Sequence, residues 1–261
     1  MRVILYANSD AALMSLASVL RSIGDQVYRH AFPIYRPLYA VYKAYSDRVE
    51  RQLLTEILFP GAIVVDAGAN IGIYSQFLSR CVGPSGVVHS FEPSRDNFKR
   101  LRAATRELPN VHVSQAAVGE HSGGSQLYIS DKLNVDHRTY SDEGSSRRTV
   151  PIEMIALDDY FKPGERVDLI KMDIQGYELH ALRGAARVCR DNPDIKLLLE
   201  FWPYGLRQAG ANWVDLIAAL ETKGMVVGQV PSEGIISFNS RAVSENPDWY
   251  ISLFASRGHR H

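Results

Sequence analysis

The sequence predicts an α/β fold built on a doubly wound, mostly parallel sheet with an antiparallel last strand, preceded by an N-terminal helical cap and carrying an inserted β-hairpin. Three observations carry that prediction. The apolar run Ala62 to Val65 breaks at Asp66 and Gly68, then resumes at helical spacing through Ile73, Phe77 and Leu78, which reads as strand, tight turn and helix start. About 20 residues later a second buried run, Val87 to Phe91, ends in Glu92, completing a mononucleotide-binding half of such a sheet. Alternating strand and helix patterns then recur to the end of the chain.

Taken in order, residues 1–60 read as the cap. Leu13, Leu16, Ala17 and Leu20 share one helical face that Gly24 closes. After Pro33 and Pro37, a second periodic stretch runs from Leu38 to Leu58 and stops at Pro60-Gly61. Tyr28, Tyr35, Tyr39, Tyr42 and Tyr45 read as a packed helix face, with an aromatic wall for an acceptor as the alternative. The main domain spans 61–256, with strands at 62–66, 86–91, 111–116, 167–172 and 195–200 and helices at 72–81, 94–106 and 177–190. Strands at 125–130 and 148–155 form the inserted hairpin, a lid of about 120–156 whose polar loop runs from Asp131 to Arg147. A helix at 212–223 and strands near 225–229, 234–238 and 249–255 follow, and 257–261 read as a frayed tail.

The turn chemistry separates two cofactor classes. Dinucleotide sites follow Gly-x-Gly-x-x-Gly, whose second glycine admits a pyrophosphate; here that position is Asn70. Asp66 at the strand end would repel a pyrophosphate but suits the ammonium of an amino-acid moiety, such as that of S-adenosylmethionine. Glu92 is placed to accept both hydroxyls of a ribose.

The stretch Asp66-Ala67-Gly68-Ala69-Asn70-Ile71-Gly72 resembles the hallmark turn of the FkbM family of S-adenosylmethionine-dependent methyltransferases. Phe91-Glu92-Pro93, Ala116 to Gly119, Leu157 to Tyr160, Asp168 to Glu178, Leu182 to Ala185 and Leu198 to Glu200 resemble that family's blocks, in its order. The resemblance implies a Rossmann-like class I methyltransferase fold with S-adenosylmethionine as cofactor. It implies that Asp66, Gly68, Asn70 and Gly72 hold the methionine part, Glu92 the ribose, and Ala117 and Val118 the adenine. Ala69, Tyr74, Ser75 and Pro93 complete the expected cofactor-binding set.

Asp173 ends the fourth sheet strand, where the reactive sulfonium should point. It is expected to bind cofactor and to act as base or to position the acceptor, with a helix cap as the bland alternative. Where most of the family has Glu, this chain has Gln175. In the inserted loop, His137 is a second candidate base, and Asn134 and Arg138, with Glu200 at a further strand end, are candidate acceptor contacts. No His-x-x-x-His or Cys-x-x-Cys spacing appears, so no metal is expected.

Composition bounds the partners. Lys and Arg total 29, as do Asp and Glu, so nothing favours nucleic acid, and a small-molecule acceptor is expected. Cys81 and Cys189 are two thiols far apart, read as buried hydrophobes rather than a disulfide. No secretory leader and no run of about 20 apolar residues is seen, and a cytoplasmic enzyme without integral membrane association is expected. The expected reaction is O-methylation of a hydroxyl on a sugar or secondary metabolite. N-methylation, a nicotinamide-dependent oxidoreductase and a non-catalytic adenosylmethionine-binding protein are the rivals. The sequence does not indicate an oligomeric state.

Overall fold

Strand alternation divides the core into two layers, one on each side of a central sheet. Val64, Val88, Leu169 and Leu198 point to one side, packing with Leu54, Tyr74 and Leu78. Their neighbours Val65, Ile170, Leu197 and Leu199 point to the other, packing with Leu179, Leu182 and Leu216. The computed structural model describes residues 27–28, 30–129, 138–139, 148–231 and 234–258. The expected helical face at Leu13 to Leu20 lies outside them.

The cap contributes α1 (Phe32–Ser46) and α2 (Arg48–Ile57). The sheet domain opens with β1 (Ile63–Ala67), α3 (Ile73–Val82), β2 (Val87–Phe91), α4 (Arg95–Ala104) and β3 (Val111–Ser114), as predicted. The insertion comprises β4 (Ala117–Val118), β5 (Gly123–Ile129) and β6 (Arg148–Ile155), which pair as a separate three-stranded sheet in the order β4-β6-β5. A single helical turn, α5 (Leu157–Tyr160), leads to β7 (Leu169–Met172), α6 (Glu178–Arg183), α7 (Ala186–Asp191) and β8 (Lys196–Phe201). The chain continues through α8 (Pro203–Gln208), α9 (Trp213–Thr222), β9 (Val226–Gln229), β10 (Ile236–Ser237) and β11 (Ile251–Ser256).

The eight-stranded sheet has the order β10-β9-β11-β8-β7-β1-β2-β3. β3, β2, β1, β7 and β8 are parallel, while β11 returns antiparallel between β8 and β9. Strand order therefore reverses between β1 and β7, and the crevice beyond their carboxyl ends is where such sheets bind ligands. The fold is the Rossmann-like α/β architecture with an antiparallel last strand. Among the described residues no helix is long and apolar enough to cross a membrane.

Several details differ from the sequence reading. The helix expected over 177–190 breaks after Arg183, because Asp158 accepts hydrogen bonds from the N–H groups of Arg187 (2.8 Å) and Val188 (2.9 Å) and starts α7 afresh. Arg257, read as tail, is pinned by hydrogen bonds to the carbonyls of Lys223, Asn192, Pro193 and Cys189. Tyr28, Tyr35, Tyr39 and Tyr42 form a run of ring contacts 5.2–6.3 Å between centroids, but not one buried face. Tyr28 is buried and Tyr35 and Tyr39 are half-buried, but Tyr42 and Tyr45 are exposed with Ile34, Leu38 and Val41. α8 has no counterpart in the sequence reading.

Two turns shape the crevice, and they touch. Gly68 has φ +81°, and a Cβ there would stand 2.0 Å from the carbonyl oxygen of Asp173. In the turn after β7, Gln175 (φ 58°) and Gly176 (φ 96°) are left-handed. A Cβ on Gly176 would lie 2.3 Å from the backbone of Gly205. Fully buried Glu178 holds this turn by accepting from the N–H groups of Ile174 (3.1 Å) and Gly176 (3.3 Å).

Gly176→Ala is expected to destabilise the protein by roughly 2–3 kcal/mol in urea unfolding, since both the backbone and Gly205 oppose the methyl group. Burial pushes the Glu178 carboxyl from 4.5 up to about 7 despite those hydrogen bonds. A carboxyl raised in the folded state stabilises most below pH 4.5, and that contribution is lost as pH rises through about 7. Thermal unfolding across this window should show Glu178→Gln losing less stability than wild type, by about 3 kcal/mol.

Candidate active site

The register of the parallel strands builds the floor of the crevice. Asp66 lies beside Ser90 on β2 and Lys171 on β7, so their side chains emerge on the same face as α3. Asp66 is fully buried, accepts a hydrogen bond from Ser75 Oγ (2.7 Å) and lies 3.9 Å from Lys171 Nζ. Ser90 Oγ donates to Ser75 Oγ (3.0 Å), closing a buried polar row beneath the turn. Lys171 reaches Asp173 Oδ2 at 3.7 Å and sits 4.4 Å from the centroid of the Tyr74 ring. The Tyr74 hydroxyl donates to Glu50 on α2 (2.7 Å), which also accepts from Ser252 on β11.

Charge compensation decides which groups are ionised. Burial alone would lower the Lys171 ammonium, but Asp173, Asp66 and Glu50 outweigh it and hold it above the usual lysine range. Burial likewise opposes ionisation of Asp173, yet Lys171 and Lys43 prevail and hold its carboxyl below the usual range. Glu200, at the end of β8, is pushed well above its usual range by burial, then by the charges of Asp173 and Glu178. The Gln175 amide nitrogen bridges the pair, 3.3 Å from Asp173 Oδ1 and 3.0 Å from Glu200 Oε2. Two carboxyl groups linked by one amide are thus pushed in opposite directions. Asp173 caps no helix; Glu178 performs that duty for the turn.

The glycine turn offers acceptors. The N–H groups of Gly68 (3.0 Å) and Ala69 (2.9 Å) donate to the Phe91 carbonyl, and that of Asn70 donates to Glu92 Oε2 (2.9 Å). Glu92 also accepts from the Ser94 N–H at 2.9 Å, and burial pushes its carboxyl from 4.5 up to about 7. Asn70, left-handed at φ 51°, has its side-chain oxygen buried without a hydrogen-bond partner among the described residues, as has one oxygen of Asp66. A pyrophosphate needs donors at such a turn, and these are spent within the protein. Unmatched acceptors fit the ammonium and hydroxyl donors of S-adenosylmethionine.

The remaining predicted residues divide by place. Gly72 is the left-handed N-cap of α3. Pro93 follows Glu92 at the rim, and Ala117 and Val118 are buried on β4 where it pairs with β6. Arg138 is buried with its guanidinium 4.8 Å from the Trp202 ring, tying the insertion to the segment after Glu200. His137 and Asn134 lie outside the described residues. Among those described, no group of three or more His, Cys, Asp or Glu side chains is placed to hold a metal ion.

The structure adds Lys171, Lys43, Glu50 and Glu178, which sequence reasoning did not single out. The signal for Lys171 was present: a lysine between Ile170 and Met172 in an otherwise apolar strand must have a buried partner. Lys43 had none, because only the path of α1 across the crevice brings it near Asp173.

The family described as Methyltransferase FkbM domain matches residues 66–222. Methyltransferase sdnD of Sordaria araneosa is 26% identical over 228 residues, covering 71% of this chain and 84% of that protein. The 31-O-demethyl-FK506 methyltransferase FkbM of Streptomyces tacrolimicus is 42% identical over 67 residues, 25% of either chain. A solved SAM-dependent methyltransferase of Aquifex aeolicus aligns with a TM-score of 0.42 and 20% identity over 78% of this chain and 87% of that one. The family match spans the glycine turn, Glu92, the insertion and the Lys171–Glu200 cluster, and the chain belongs to the FkbM family of S-adenosylmethionine-dependent methyltransferases.

Proposed function

We propose that the enzyme methylates a hydroxyl oxygen of a small molecule and that Asp173 receives the hydroxyl proton. The carrying observation is the Asp173 carboxyl group at the end of β7, its side chain 35% exposed and 3.7 Å from the Lys171 ammonium, which holds it below the usual carboxylate range. S-adenosylmethionine supplies a methyl group on a positively charged sulfonium and leaves as the neutral thioether S-adenosylhomocysteine.

Asn70 Oδ1 accepts from the cofactor ammonium, and Glu92 from the ribose hydroxyls. Gly68, Ala69 and Gly72 give the backbone its close approach. Pro93, Ala117 and Val118 offer the adenine an apolar edge. Asp66, Ser75 and Tyr74 act from beneath the turn as positioning residues, through the contacts described above. A carboxylate held below its usual range is a weak base. Asp173 therefore first orients the acceptor hydroxyl as a hydrogen-bond acceptor, and takes its proton as the oxygen bonds to carbon and becomes strongly acidic. Neutral Glu200, held by Gln175, can donate to a neighbouring acceptor oxygen. Lys43 and Lys171 disfavour a protonated amine at this place, which supports oxygen over nitrogen.

Calorimetry should show S-adenosylmethionine binding to wild type and weakening by about 10–100-fold in Glu92→Ala, since charge-assisted hydrogen bonds are lost. Asp66→Ala should also weaken binding, by misplacing the turn. Asp173→Asn should lower methyl transfer by about 10²–10⁴-fold with cofactor affinity little changed. A rate that survives this substitution would point to a nitrogen acceptor, which can shed its proton to water.

A further inference from the structure

Beside Asp173, the cap helices α1 and α2 stand off the ends of β7, β8 and β11 and leave a cavity of about 160 Å³. Pockets for drug-sized ligands begin at about 300 Å³, so this one suits a single ring. Its inner end holds Asp173, Lys171 and Glu200, and its cap wall carries Lys43, Asp47 and Glu50. At the mouth stand Tyr42 and Tyr250, which are 61% and 62% exposed. Of the cap wall and mouth, the sequence reading named only Tyr42, within the alternative aromatic wall for an acceptor.

The lining mixes polar side chains with Met172, Leu198 and Leu199, and both of its lysines are already paired. Lys43 pairs with Asp47 at 2.6 Å, Lys171 with Asp66 and Asp173, and Glu50 with the hydroxyls of Tyr74 and Ser252. A charged guest would leave one charge uncompensated in a half-enclosed space. A hydrocarbon guest would strand the polar groups it displaced from water. A neutral ring with several hydroxyls meets both donors and acceptors, and its C–H face suits the open tyrosine rings at the mouth.

We propose that this cavity is the acceptor site and that it takes a neutral, polyhydroxylated ring such as a sugar residue, seated against Tyr42 and Tyr250 with one hydroxyl at Asp173. The assignment rests on the methyltransferase reading. It makes the cap, more than the inserted hairpin, the element that selects the acceptor. On transfer the acceptor O–H bond gives its proton to Asp173, a C–O bond forms to the methyl carbon, and the C–S electron pair stays with sulfur.

The test is saturation-transfer NMR on the full chain, with and without S-adenosylhomocysteine. The probes are a panel of neutral methyl glycosides and myo-inositol, set against glucosamine, gluconate and phenol. At least one neutral polyol should bind, with strongest transfer to C–H protons of one ring face, and charged or purely aromatic probes should not. Tyr42→Ala and Tyr250→Ala should each weaken that binding by about tenfold. Tyr45→Ala, which alters an exposed tyrosine of the same helix outside the cavity, should not, and S-adenosylhomocysteine affinity should hold in all three. The proposal is overturned if no neutral polyol binds, if charged probes compete equally, or if the two tyrosine variants bind like wild type. Failure of wild type to bind S-adenosylhomocysteine strikes the methyltransferase reading instead, and the titrations without it still judge the cavity.

Discussion

The buried ammonium of Lys171 is the constraint around which the crevice is organised. A lysine 4% exposed in the middle of a sheet must be matched, because its desolvation outweighs any single surface-strength ion pair. Its partners come from three places: Asp66 in register on β1, Asp173 two residues further along its own strand, and the face of Tyr74 on α3. That compensation requires β1 and β7 to be neighbours, and so ties the electrostatics to the reversal of strand order. It also explains how Asp173 is held below the usual carboxylate range although burial opposes its ionisation, while Glu200, where burial and the neighbouring acids outweigh the same two lysines, is pushed above it.

The same economy runs through the turns. Glu92 and Glu178 are buried carboxyl groups that accept from backbone N–H groups, Glu92 with both oxygens to join the glycine turn to α4 and Glu178 with one to close the turn after β7. Gly68 lets the first turn press against the Asp173 carbonyl, so the two turns are in direct contact. The crevice is shaped by contacts within the protein, and the unmatched side-chain groups of its glycine turn, on Asp66 and Asn70, are acceptors. Preorganised acceptors select a cofactor that brings donors.

α2 joins this frame by apolar packing of Leu53 and Leu54, whereas the rest of the cap is held more by polar and cation–π contacts. Arg36 on α1 donates to Gln76 on α3 (2.7 Å), Arg100 on α4 lies 3.5 Å from the Tyr28 ring centroid, and Glu50 links Tyr74 to Ser252. α1 buries no residue fully, and its stripe from Ile34 through Tyr45 faces outward. The helix nevertheless carries Tyr39 and Lys43 on its inner side, where they face Asp173.

Local chemistry made the core of the fold legible. An apolar run ending in Asp66 and Gly68, a second ending in Glu92 and a third ending in Asp173 each state a strand end in a few consecutive residues, and the strand, turn and helix that follow depend on local backbone preference. The sequence by itself thus determined the α/β class, the glycine turn, the cofactor class and the acids at the strand ends. It could not state which strands neighbour each other, because pairing links residues about a hundred positions apart, such as Asp66 and Lys171. Nor could it reveal that β11 inserts between β8 and β9, that Asp158 breaks the α6–α7 segment, or that an apolar stripe on α1 faces solvent. Protonation states, the match of acceptors at the turn and the cavity beneath the cap arise from groups converging across the sheet. Only the tertiary structure decided them, because charge and burial act through space and not along the chain.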